Sequence, residues 1–157
     1  MSRFVITPLP AGDVDTETPV ARRTVSDGRA PCRRCLRDAA MGEALVLASY
    51  NPFTVRSPYA GDGPVFVHAD ACEPFAPEPG RLSEQIPGRQ LSIRAYDGDA
   101  MMTGAAVLAG ERFAEGATEL LGEDGVEFLH VHFAGPGCFA FRVDRAQETC
   151  LAPFLHG

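Results

Sequence analysis

The sequence of 157 residues predicts an α+β domain, a predominantly antiparallel sheet with one main helix packed on one face. Three observations lead there. Seven to nine short segments alternate apolar and polar residues, the period of a half-buried strand. The 13 prolines and 16 glycines break the chain into short elements joined by turns. Only one stretch, between Gly110 and Gly122, repeats its apolar residues at helical spacing.

Taken in order, residues 3–8 alternate around Phe4 and Ile6 and open the fold as a strand that Pro8 and Pro10 stop. Residues 20–25 form a weak strand whose two arginines suit a sheet edge. Residues 31–44 show no sustained period, although Pro31 can start a short helical turn. Residues 45–50 and 65–68 are apolar strands on either side of a loop rich in Gly and Pro. Pro74, Pro77, Pro79 and Pro87 exclude a helix or central strand from residues 73–88, which read as an ordered surface loop. Residues 91–96 and 101–109 pair across an Asp97-Gly98-Asp99-Ala100 turn, in which the acids serve as turn formers. Phe113, Ala117, Leu120 and Leu121 give the helix its stripe, and Gly116 inside it has no reason visible in sequence. Residues 127–144 are two alternating runs around Gly135-Pro136-Gly137, a β-hairpin in which Ala134 faces Cys138, His132 faces Ala140 and His130 faces Arg142. The domain is set at residues 3–146, followed by a loosely packed tail over 147–157.

Composition excludes several functions. The formal charge is −7 and all 14 basic residues are arginine, with no basic run beyond residues 22–23 and 29–37, so nucleic acid is not an expected partner. No window approaches the ~20 apolar residues of a membrane span. Five cysteines without a secretion signal point to reduced thiols in the cytoplasm.

Two groups of residues carry chemistry. Cys32-x2-Cys35 places two thiols on one turn, and His68-x3-Cys72 can complete four tetrahedral ligands for zinc. The long separation between the pairs exceeds that of compact zinc fingers, and the same cysteines also fit a redox pair activated by Arg33, Arg34 and Arg37, or plain core filler. The second group is the polar face of the hairpin. His132 and Cys138 fall diagonally on it as a catalytic pair, while His130 and Arg142, with Arg94 and Tyr96 from another strand, can bind a small anionic molecule. The bland alternative is a solvated sheet face. The leading expectation is a small-molecule binding protein or enzyme using this face. The competing one is a zinc-stabilised structural or interaction module, and nothing specifies the oligomeric state.

The runs PCRRCLRDA, SPYAGDGPVFVHA, LSIRAYD and HVHFAGPGCFA, in this order, resemble a bacterial family known as domain of unknown function 1203 over about residues 3–146. The resemblance implies a single-domain bacterial protein and no reaction, cofactor or partner. In the family pattern the second cysteine of the pair is often another residue, which implies that a zinc ligand at Cys35 is not general to the family.

Overall fold

The structure, a computed structural model, describes residues 4–147. Eight strands form two antiparallel sheets. The larger contains β1 (Phe4–Thr7), β5 (Gln90–Tyr96), β6 (Met102–Ala109), β7 (Phe128–Phe133) and β8 (Phe139–Arg145) in the order β1-β8-β7-β5-β6. The smaller contains β2 (Arg22–Val25), β3 (Ala44–Tyr50) and β4 (Gly63–His68) in the order β2-β3-β4. The weak strand at residues 22–25 is an edge, exposed at every position, as its arginines predict. The expected α+β class therefore holds. The tail expected beyond residue 147 lies outside the described residues.

One helix, α1 (Phe113–Leu121), follows a 3-10 turn at Gly110–Arg112 and lies on one face of the larger sheet. Its stripe buries Phe113, Ala117 and Leu121. Phe113 meets Phe4 and Phe141 edge-to-face, both at 5.6 Å, which ties the helix to β1 and β8. A side chain at Gly116 would meet Leu108 Cδ2 of β6 at 2.5 Å, so this glycine lets the helix approach the sheet. The β5–β6 turn is held by Asp97, whose Oδ1 accepts the amides of Asp99 and Met101.

The second core lies under the smaller sheet, where Val46, Ala48, Val65 and Val67 pack on Cys32, Cys35 and Phe139. Residues 31–38 contain no helix. They form a tight turn closed by the Leu36 amide on the Cys32 carbonyl (3.0 Å) and joined to β4 by the Arg33 amide on the Phe66 carbonyl (2.8 Å). The proline-rich loop is more than surface. It caps this turn through the Phe75 amide on Arg34 O (3.0 Å), Ser83 Oγ on Leu36 O (2.8 Å) and Gln85 Nε2 on Cys32 O (3.1 Å). Among the described residues no helix is long and apolar enough to cross a membrane.

Gly110, which is buried, and Gly116, which is half-buried, separate two kinds of close approach. A Cβ at Gly110 would lie 1.8 Å from the backbone oxygen of Ile86, whereas at Gly116 it meets only the movable end of Leu108. Urea unfolding should show Gly110→Ala destabilised by at least about 2 kcal/mol, the range of overpacking against backbone. Gly116→Ala should stay within about 1 kcal/mol of the parent, because helix propensity offsets the Leu108 adjustment.

Candidate metal centre

Cys32 and Cys35 leave the turn toward the end of β4, where the strand presents His68 and the following loop returns Cys72. The Sγ atoms of Cys32 and Cys72 are 3.9 Å apart, and Cys35 Sγ is 3.7 Å from His68 Nδ1. All four donor atoms lie within 4.8 Å of one another. A tetrahedral ion with metal–sulfur bonds of about 2.3 Å and a metal–nitrogen bond of about 2.0 Å sets edges of about 3.6 to 3.8 Å, so little movement is needed to enclose one. These four residues can hold a metal ion, and they are the four that the spacing in sequence singled out.

The surroundings suit a cation. His68 Nε2 is 3.2 Å from Glu43 Oε1, so Nε2–H donates to the carboxylate and the Nδ1 lone pair faces the sulfurs. The Ala40 amide, 2.6 Å from the same oxygen, and then His68 hold the Glu43 carboxyl below its ordinary range. Cys32 is pulled down to about 4, first by the Cys35 thiol directed at it and, against the cost of burial, by the amides of Cys35, His68 and Arg34. Cys35 is pushed up by the same shared proton and by burial. Cys32 is thus set to be a thiolate, and a cation would take the place of that proton. Arg34 bonds Asp13 at 2.9 Å and has Nη1 4.0 Å from Cys72 Sγ; its charge favours the thiolate form of the cluster while opposing a cation directly, a repulsion that Asp13 reduces.

The hairpin face differs from its expected form. The register pairs His130 with Arg142 as expected, then shifts so that His132 faces Phe139 and not Ala140. This bulge leaves Ala140 and Phe141 both in the core under α1, and turns Phe139 away from it toward Tyr50, His130 and His132. Phe139, which strict alternation with Phe141 and Val143 would place on the helix side, thus helps make the opposite face aromatic. His130 is fully buried there among the rings of Phe53, Tyr96, Phe128 and Phe139, and neither ring nitrogen has a hydrogen-bond partner among the described residues. Arg142 is engaged by both oxygens of Asp144 (2.9 Å each) and lies over the Phe128 ring.

β5 does lie beside β7. Ser92 pairs with His132, Arg94 with His130 and Tyr96 with Phe128. His132 Nδ1–H donates to Gly137 O at 2.9 Å, and its Nε2 accepts from Arg94 Nη1 at 3.3 Å, an assignment that requires a neutral ring because a carbonyl only accepts and a guanidinium only donates. Cys138 makes no hydrogen bond to His132; its sulfur takes Arg33 Nη2 at 2.8 Å. Arg94, Tyr96, His132 and Cys138 nevertheless line one pocket of about 280 Å³, together with Tyr59 and Asp62.

A family model described as protein of unknown function (DUF1203) matches residues 29–145. The chain belongs to the DUF1203 family. No curated protein and no solved structure matches it. The matched span of this DUF1203 chain begins after β2 and takes in all four metal-ligating candidates as well as the hairpin. Two residues around the site escaped the sequence reading: Glu43 lies outside any motif, and Gln85 sits in a loop expected at the surface. Arg33, expected beside the cysteines with Arg34 and Arg37, is 1% exposed. No pattern in the sequence separates Arg33 from Arg34.

The buried imidazoles give a pH test. Burial foremost, then the nearby His132, Arg142 and Arg94, pushes His130 down to about 3. Burial also pushes His132 down to about 4, with Arg94 and Arg33 adding to it against the Gly137 bond. Below about pH 6.5 the unfolded chain takes up protons that the folded chain refuses, so stability falls with pH by up to about 1.4 kcal/mol per unit for each histidine. The loss levels off near the folded values. His130→Leu should remove one histidine's share of that slope between pH 6.5 and 4. At pH 7 it should gain about 1–3 kcal/mol in urea unfolding, since two unpaired polar atoms leave the interior.

Proposed function

We propose that this DUF1203 protein is a zinc-stabilised module, in which Cys32, Cys35, His68 and Cys72 hold one structural Zn²⁺. The convergence of four donor atoms with Glu43 behind the histidine carries the reading. Three thiols and an imidazole are the donor set of a borderline-soft ion, and four protein ligands leave no open position for substrate, which is the form of a structural site rather than a catalytic one. Zinc would reinforce the join between the turn at residues 32–36 and the end of β4, which already rests on the Arg33 amide at Phe66 O and the His68 amide at Cys32 Sγ (3.4 Å). The free thiols of Cys32, Cys35, Cys72 and Cys138 suit a reducing compartment, and we place the protein in the bacterial cytoplasm.

A second reading, small-molecule binding beside the hairpin, is supported by the shared pocket of Arg94, Tyr96, His132 and Cys138. His130 and Arg142 drop out of that site, one enclosed by rings and the other held by Asp144.

Protein purified without an affinity tag should carry one zinc per chain by elemental analysis and lose thermal stability when a strong chelator removes it. Cys72→Ala should abolish stoichiometric zinc, and Glu43→Gln should weaken zinc affinity by about 10- to 100-fold through loss of the histidine's partner. A metal-free chain whose melting is unaffected by chelator would end the zinc reading.

A further inference from the structure

A further pocket borders the hairpin pocket and includes none of the four candidate metal ligands. It is a cleft of about 560 Å³ where the smaller sheet meets the β7–β8 turn, a size suited to a small ligand. Leu47 of β3, Phe66 of β4, Phe133 of β7 and Pro136 form apolar walls, and the turn at residues 31–33 reaches its base. Its charged lining is of one sign. Arg29, Arg33 and Arg89 line it and, among the described residues, no carboxylate does, in a chain whose net charge is −7.

Arg33 is the residue that decides what the cleft can hold. Its guanidinium is buried, and its three hydrogen bonds go to Pro31 O (2.6 Å), Phe139 O (2.7 Å) and Cys138 Sγ (2.8 Å). None of these partners is a carboxylate. Phe133 gives it a ring face at 5.0 Å, and the same ring has Arg89 at 5.1 Å. Arg89 is answered by Asp38 at 3.0 Å, but among the described residues no acidic group pairs with Arg33 or Arg29. A buried cation is costly unless an anion meets it, and the sulfurs of Cys138 and Cys32 offset that cost only in part. Three of the five guanidinium N–H groups are used, which leaves one on Nη1 and one on Nη2, enough for the two oxygens of one carboxylate.

We infer that this cleft binds a small amphiphilic carboxylate, with its hydrocarbon part against Leu47, Phe66 and Pro136 and its carboxylate at Arg33. An uncharged apolar molecule would leave the guanidinium as it stands. The inference rests on the position of the turn and not on which ion holds it, and the cleft adjoins the pocket around His132 and Arg94, with which it shares Pro64, Pro136 and Cys138.

The test uses the full chain as purified, with its metal content measured, and follows sodium octanoate by isothermal titration. Saturable binding at one site per chain is expected, with 1-octanol and acetate each at least tenfold weaker, because one lacks the charge and the other the apolar part. Leu47→Glu sets a carboxylate on the wall and should weaken octanoate at least tenfold while melting temperature and metal content stay at parental values. Arg33→Gln should do the same to affinity, and Leu47→Glu decides the matter if that variant fails to fold. Octanoate that binds no tighter than octanol, fails to saturate, or binds Leu47→Glu as well as the parent overturns the proposal, as does tighter binding of octyl phosphate. Absence of zinc from a folded, octanoate-binding chain would overturn the metal reading and leave this one standing.

Discussion

Leu36 holds a left-handed backbone conformation, φ 56, with its side chain wholly inside the core. For a residue with a branched side chain that conformation costs about 1–2 kcal/mol, and burial of a leucine side chain contributes about 1.5–3 kcal/mol in return. The left-handed residue lets the chain reverse immediately after Cys35. With the Leu36 amide already closed on the Cys32 carbonyl, the left-handed residue carries the Arg37 carbonyl back to the Cys32 amide. Everything of chemical interest hangs from that reversal. Cys32 and Cys35 face His68 and Cys72, while Arg33, between them in sequence, faces Phe133 and Cys138 on the other side. One turn therefore sets both the sulfur cluster and the charge in the cleft.

The bulge in the β7–β8 hairpin is the second decisive feature. A regular hairpin would place Phe139 beneath α1 and leave His130 and His132 on a wet surface. The extra residue at Ala140 moves Phe139 to the far side, where it meets Tyr50 of the smaller sheet and encloses His130. The bulge thus gives the two sheets a shared aromatic contact. It also brings the Phe139 carbonyl to Arg33 Nε at 2.7 Å, so a change of register in one sheet helps to anchor the turn belonging to the other.

These features differ in how far they can be read from sequence. Strand and helix positions were legible because each buries one face and the apolar period survives in the order of residues, as at Gln90–Tyr96 and Phe113–Leu121. The four ligand candidates were legible because thiols and imidazole at such spacing are few in any chain. The bulge was not, since Ala140 can occupy either face and alternation alone cannot count an extra residue. Gln85 and Ser83 were hidden for a different reason: a side chain that bonds backbone carbonyls far away leaves no periodic trace. Arg33 and Arg34 are chemically identical, and only the turn geometry sends one inward and the other to Asp13.

The proline-rich loop changes how the metal centre should be pictured. A segment with prolines at 74, 77, 79 and 87 has few conformations to give up on folding, and it grips the carbonyls of Cys32, Arg34 and Leu36 through three separate donors. The loop thus acts as the rigid half of a mould, with β4 as the other half. Sulfurs cast in such a mould stand at fixed spacing, so the size of any ion they could hold is set by amide and hydrocarbon.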